Sequence, residues 1–170
     1  MAHIVIIGAG IGGLPAAYEL RAALDKSHRI TVISGNADFQ FVPSNPWVAV
    51  GWRTHQDITV SLRPYLEKKG IGLINQWATG IDPTTRRVLL GNGEAVDYDH
   101  LVITTGPKLA FEEIEGLGPQ GFTQSICTLE HAEAAYSAYQ AFLEDPPVPW
   151  SSARRRWPPA SALPMNTPSS

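Results

Sequence analysis

Three glycines near the N-terminus have the spacing that holds a phosphate. In "HIVIIGAGIGGLPAAYEL", Gly8, Gly10 and Gly13 form G-x-G-x-x-G. The first glycine of such a run permits a tight turn, the second lets the backbone approach a pyrophosphate, and the third lets a helix pack close to a strand. The helix that follows offers free N–H groups and the positive end of its dipole to the phosphates. The motif gains weight from lying between an apolar strand and a helix. Farther along, "HLVITTGPK" ends a β-branched run in Thr104, Thr105 and Gly106. Small residues at the carboxyl end of a parallel strand lie where ligands bind. Together these segments predict nucleotide binding. The acid expected after the second strand, which would bind ribose hydroxyls, is absent; Ser34, Gly35 and Asn36 stand there. Ser34 hydrogen-bonds a hydroxyl without adding charge, so these residues alone leave the cofactor open.

Other reactive groups are sparse. Cys127 is the single cysteine, which excludes an intrachain disulfide and a multi-cysteine metal site. A thiolate there would be the reactive species, and a quiet buried thiol is the alternative. His3, His28, His55, His100 and His131 lack metal-ligand spacing and are read as structural or surface residues. Trp47, Trp52 and Trp77 are read as packing groups, not as a stack for a ligand.

The elements that must position these residues follow an α/β pattern. "HIVII" and "RITVIS" are short apolar runs suited to strands buried on both faces. "LPAAYELRAALDK" between them is a helix with Pro15 in its first turn. "FQFVPSNPWVAVGW" reads as a loop, and "TVSLRPYLEKKG" as a helix ending at Gly70. "IGLINQWATGID" and "RRVLLGNGEAVDY" read as strands, the second folded at "GNG". "TLEHAEAAYSAYQAFLED" is a helix capped by Thr128, with Leu129, Ala132, Tyr136, Tyr139, Phe142 and Leu143 near one face. Hydrophobic residues at 44% and charged residues at 17% are values of a chain that builds a core. Residues 1–150 carry 10 basic against 16 acidic side chains, which argues against nucleic-acid binding. No basic leader or long apolar span is present, so a cytoplasmic location is expected.

"IVIIGAGIGG" followed by "DHLVITTGPK" resembles the two-dinucleotide-domain flavoproteins, in which a strand ending in A-T-G follows a three-stranded meander beside FAD. Thr104 replaces the usual alanine. "FQFVPSNPWVAVGW", "TTGPKLAFE" and "QSICTLEHAE" extend the resemblance to bacterial sulfide:quinone oxidoreductases, over about residues 1–149. The resemblance implies a Rossmann-like FAD-binding domain: a parallel sheet with helices and an inserted meander. It implies FAD held by Gly8, Gly10, Gly12, Gly13, Ser34 and Gly35, with Ala78 near the adenine. Val42, Pro43, Thr105, Gly106, Pro107 and Lys108 would approach the flavin, and Cys127 would have an auxiliary role. Sulfide and a membrane quinone are the implied substrates, for a protein peripheral to the membrane. An NADH:quinone oxidoreductase-like flavoprotein and a non-catalytic FAD-binding module are the alternatives.

The family continues past residue 149 with a strand, a redox cysteine, a second nucleotide domain and membrane-seeking helices. Residues 150–170 match none of this, and Ser, Pro, Ala and Arg dominate them; such a composition is expected to stay disordered. Codon regrouping offers a reading. Met165 and Asn166 regroup, one frame off, to a Glu codon without freedom. Pro158 through Thr167 then permit S-C-F-G-P-A-Y-E-Y, which resembles the family's redox-cysteine segment. The expectation is therefore a frameshifted tail on a truncated, inactive domain whose unpaired sheet edge limits solubility.

Overall fold

The computed structural model describes residues 1–144. The expectations for the tail, shifted frame included, lie outside those residues.

β1 (His3–Ile7) is buried along its whole length. It leads through the glycine turn into α1 (Gly13–Ala23) and on to β2 (Arg29–Ile33). β1 and β2 pair in parallel, with Ile4 beside Ile30 and Ile6 beside Val32. β9 (His100–Ile103) runs parallel on the other side of β1. β5 (Gly72–Ile74) runs parallel beyond β2, so the order is β5-β2-β1-β9. This is the parallel sheet that the apolar runs predict.

Side chains alternate across a strand, and each face of this sheet has its own cover. Ile4, Ile6, Ile30 and Val32 pack on Ala17 of α1 and on Leu62, Leu66 and Ile71 around α4 (Arg63–Lys68). Val5, Ile7 and Ile33 pack on Val88 and Leu90. These two belong to the three-stranded meander formed by β6 (Ala78–Asp82), β7 (Arg87–Leu90) and β8 (Ala95–Asp97). The sheet is thus the middle of three layers. Each buried Ile or Val contributes about 1.5–3 kcal/mol by leaving water.

Three segments differ from the sequence reading. "IGLINQWATGID" is not one strand: β5 joins the parallel sheet and β6 the meander, with Asn75–Trp77 turning between them. The helix expected over "TVSLRPYLEKKG" is confined to Arg63–Lys68. Thr59–Ser61 is instead β4, paired antiparallel with β3 (Asp38–Gln40). Pro64 belongs in the first helical turn, where its missing N–H costs little, while β-branched Thr59 and Val60 suit a strand once a partner is present. The segment read as a loop holds the end of β3, a 3-10 turn at Val42–Ser44 and α2 (Asn45–Ala49).

α5 (Leu129–Glu144) starts as expected: the His131 N–H donates to Thr128 Oγ1 at 3.2 Å. Leu129 and Ala132 bury against Val48 of α2 and Ile58 of α3 (His55–Ile58). The rest of the expected apolar face, Tyr136, Tyr139, Phe142 and Leu143, is exposed. Among the described residues no helix is long and apolar enough to cross a membrane.

Candidate functional site

A cleft of about 500 Å³ opens at the carboxyl ends of β1, β2 and β9, within the size range of ligand sites. Its floor is the glycine turn. The Gly8 N–H donates to the Ile33 carbonyl at 2.9 Å, and Gly8 adopts φ +105°. A Cβ on Gly8 would overlap the Thr104 carbonyl, and one on Gly13 would overlap the Gly8 carbonyl and Thr104 Oγ1. A Cβ on Gly10 would meet no atom within 4 Å. The three glycines therefore have distinct reasons. Gly8 and Gly13 let the strand, turn and helix close on Thr104, whereas Gly10 keeps the cleft side of the turn bare.

Thr104 has its own part in this closure. Its hydroxyl donates to the Ile7 carbonyl at 2.8 Å and lies 3.2 Å from the Gly8 carbonyl, and its N–H donates to Ile7 at 2.8 Å. The hydroxyl that an alanine would lack joins β9 to the glycine turn.

The second wall follows β2. The Ser34 N–H donates to the Ile74 carbonyl at 3.0 Å, and Ser34 Oγ donates to the Asn36 carbonyl at 2.9 Å. With its proton committed, the hydroxyl presents lone pairs as a hydrogen-bond acceptor. Asn75 Nδ2 donates to the carbonyls of Ser34 and Gly35, each at 3.0 Å. The Trp77 ring lies so close over Gly35 that a Cβ there would enter it. Trp77 also lines the cleft while remaining 65% exposed. The reading of Trp77 as a packing residue is thus incomplete: its ring forms part of the cleft wall. Asp38 and Gln40 also line the cleft, and sequence reasoning missed both. Asp38, at the start of β3, places an acidic residue in the same lining as Ser34.

Of the expected site residues, Gly8, Gly10, Gly12, Ser34, Gly35, Val42, Ala78, Thr105, Gly106 and Pro107 all line this cleft. Gly13 lies beneath it as packing. Pro43 and Lys108 are exposed and lie outside the lining, with Lys108 Nζ paired to Glu112 at 3.2 Å. Cys127 is exposed and also outside the lining. Its N–H donates to Ser125 Oγ at 3.2 Å, and the same oxygen lies 3.2 Å from His131 Nδ1. A larger hollow of about 700 Å³, between the coil at 111–121 and His131, holds none of the expected residues. The glycine turn belongs to the smaller cleft.

At the opposite end of the sheet His3 is buried. Arg29 Nη2 lies 2.7 Å from His3 Nδ1, and His3 Nε2 lies 2.8 Å from Thr31 Oγ1. A guanidinium only donates, so Nδ1 accepts and Nε2 carries the proton of a neutral ring. Burial first, and then the charge of Arg29, hold the His3 pKa below its usual value. Among the described residues no group of three His, Cys, Asp or Glu side chains is arranged to hold a metal ion.

The fold recurs among known proteins. Residues 2–140 match the family model described as pyridine nucleotide-disulphide oxidoreductase. The chain belongs to that family. It is 42% identical to the sulfide-quinone reductase of Aquifex aeolicus over 144 residues, 85% of this chain and 33% of that protein. It is 29% identical to an NADH dehydrogenase-like protein of Mycobacterium tuberculosis over 72% of this chain and 31% of that one. The crystal structure of the Aquifex aeolicus sulfide:quinone oxidoreductase superposes with a TM-score of 0.81 over 86% of this chain and 33% of that one. NADH:rubredoxin oxidoreductase of Clostridium acetobutylicum, 27% identical, gives 0.62 over 82% of this chain and 36% of that one. The chain thus spans about a third of the length of these oxidoreductase relatives. The similarity to sulfide-quinone reductase and the α/β flavoprotein-type fold agree with the sequence reading.

Proposed function

We propose that the cleft holds FAD and that the chain is the cofactor-binding part of a flavoprotein of the sulfide:quinone oxidoreductase type. The observation that carries this reading is the convergence of distant segments on one cleft: the bare turn at Gly10, the Ser34–Gly35 corner, Ala78, and Thr105–Pro107. The pyrophosphate fits at Gly10–Gly12, where a helix start supplies N–H groups. Ser34 accepts from the ribose, with Asp38 in the same wall. Ala78 and Trp77 border the adenine end, and Val42 and Thr105–Pro107 border the flavin end. The resemblance adds Pro43 and Lys108 on the flavin side and an auxiliary role for Cys127. FAD, when bound, supplies a two-electron acceptor; these residues orient it and exclude water from one face.

Sulfide and a membrane quinone are the proposed substrates, supported by the 42% identity to the Aquifex aeolicus enzyme. A redox cysteine pair needs two cysteines, and these 170 residues contain one. The chain by itself is therefore expected to bind FAD without turning over. Purified chain titrated with FAD should develop a flavin absorbance band that survives gel filtration. Sulfide and a soluble quinone analogue should then give no flavin-dependent quinone reduction. Failure to retain flavin would overturn the cofactor reading, and turnover would overturn the inactive one. Bleaching of the bound flavin by NADH but not sulfide would favour the NADH-linked relatives instead.

A further inference from the structure

The segment carrying Cys127 is linked to the cleft wall through one buried side chain. Asn45, the first residue of α2, is only 1% exposed. Its Nδ2 donates at 2.9 Å to the carbonyl of Ile126, the residue before Cys127. Its Oδ1 accepts from Gln40 Nε2 at 3.1 Å. Gln40, at the end of β3, lines the cleft. The amide cannot be reversed without setting its oxygen against the Ile126 carbonyl, so the order from cleft wall to cysteine backbone is determined by donor and acceptor chemistry. A buried amide satisfied at both ends, by Gln40 nearby and by Ile126 far along the chain, is rigid, because releasing either end leaves an unpaired polar group out of water. A group filling the cleft against Gln40 would therefore act on the backbone at Cys127 through one side chain.

We propose that Asn45 is a positioning residue, which holds the Cys127 segment and passes the occupancy of the cleft to the reactivity of the thiol. The second half of the proposal rests on the FAD reading above. Cys127 is the single cysteine, so alkylation by iodoacetamide reports this site alone. In the unmodified chain, saturating FAD should change the alkylation rate by at least about fivefold, the low end of ordinary site-to-site coupling. Asn45→Asp keeps the side chain's shape and gives up its donor. It should still bind FAD, as read by flavin absorbance, with alkylation rates that agree within about twofold with and without FAD. A purely structural role would shift both rates together and preserve their ratio. The proposal is overturned if FAD binds and the unmodified chain shows no change, or if Asn45→Asp keeps the full ratio. Absence of bound flavin would defeat the cofactor reading separately. The positioning role then stands only if unliganded Asn45→Asp, folded by circular dichroism, alkylates at least about fivefold faster than the unmodified chain; equal rates overturn it. Should Asn45→Asp not fold, Asn45→Ser shortens the side chain, breaks both bonds without adding a charge, and is judged by the same ratios.

Discussion

A methyl group added at Gly10 or at Gly13 separates binding from folding at the resolution of one residue. At Gly13 it enters the Gly8 carbonyl and Thr104 Oγ1, both part of the packed turn. Gly13→Ala should therefore cost about 1–3 kcal/mol, seen as a lower urea midpoint. At Gly10 it meets nothing within 4 Å. Gly10→Ala should leave stability within about 0.5 kcal/mol and weaken FAD binding at least about tenfold, because the methyl occupies the space of the pyrophosphate. Equal losses of stability in both variants would contradict this assignment. His3 makes a second prediction. Its folded pKa lies below its ordinary 6.5, so the unfolded chain takes up a proton that the folded chain refuses. Its contribution to stability is complete above pH 6.5 and is lost as the pH falls through the lower, folded value. The carboxylates held below their ordinary value, such as Asp99, which the His3 N–H holds below the usual carboxylate range, act at lower pH. Urea midpoints should fall as pH drops below 6.5, and His3→Gln should flatten that part of the curve.

Elements in this fold are joined by side chains whose partners are remote in sequence. Thr104, just past the end of β9, donates to the Ile7 carbonyl at the end of β1, 97 residues earlier. Thr104→Val keeps the shape and removes the hydroxyl. It should cost about 1 kcal/mol and should accelerate hydrogen exchange at the Gly8–Gly13 turn more than at β2. Uniform acceleration across the sheet would show that the hydroxyl has no local role. The element boundaries that differ from the sequence reading share a physical reason. Thr59–Ser61 is a strand because Asp38–Gln40 lies beside it, and Gly72–Ile74 leaves the strand to its right because β2 offers a parallel partner. Pairing across such distances overrides local propensity. β1, β2, α1, the "GNG" hairpin and the Thr128 cap were readable beforehand because their signals are local: continuous apolar burial, glycine punctuation and a hydroxyl before a helix.

The molecule as a whole presents apolar surface along one side of the sheet and along the end of α5. Among the described residues β9 pairs only with β1, and Ile103 on that edge is 58% exposed. Open strand edges and apolar patches promote association. Concentration-dependent oligomers are expected by light scattering after gel filtration, and Ile103→Lys should reduce them by placing a charge on the edge. A monodisperse monomer at all concentrations, with or without the substitution, would contradict the prediction. The same scale explains why the site is a cleft: three parallel strands end together, and residues of β3 and of the connection between β5 and β6 line its walls.

Spacing alone marked Gly8, Gly10 and Gly13 as a tight turn between strand and helix, and apolar continuity alone marked β1, β2 and β9 as strands of one parallel sheet, although β9 lies at its edge and is only half-buried. Both are local properties, fixed by steric demands within a few residues. The wall residues Asp38, Gln40 and Trp77 could not be recognised that way, since nothing in their neighbours' chemistry says that they line a cleft. Their position depends on where β3 meets β4 and where β5 gives way to β6. The same holds for Asn45, whose amide is an ordinary helix-start residue in one dimension. Only in the folded chain does it lie between the cleft wall and the backbone at Cys127, because tertiary packing brings together residues 81 positions apart.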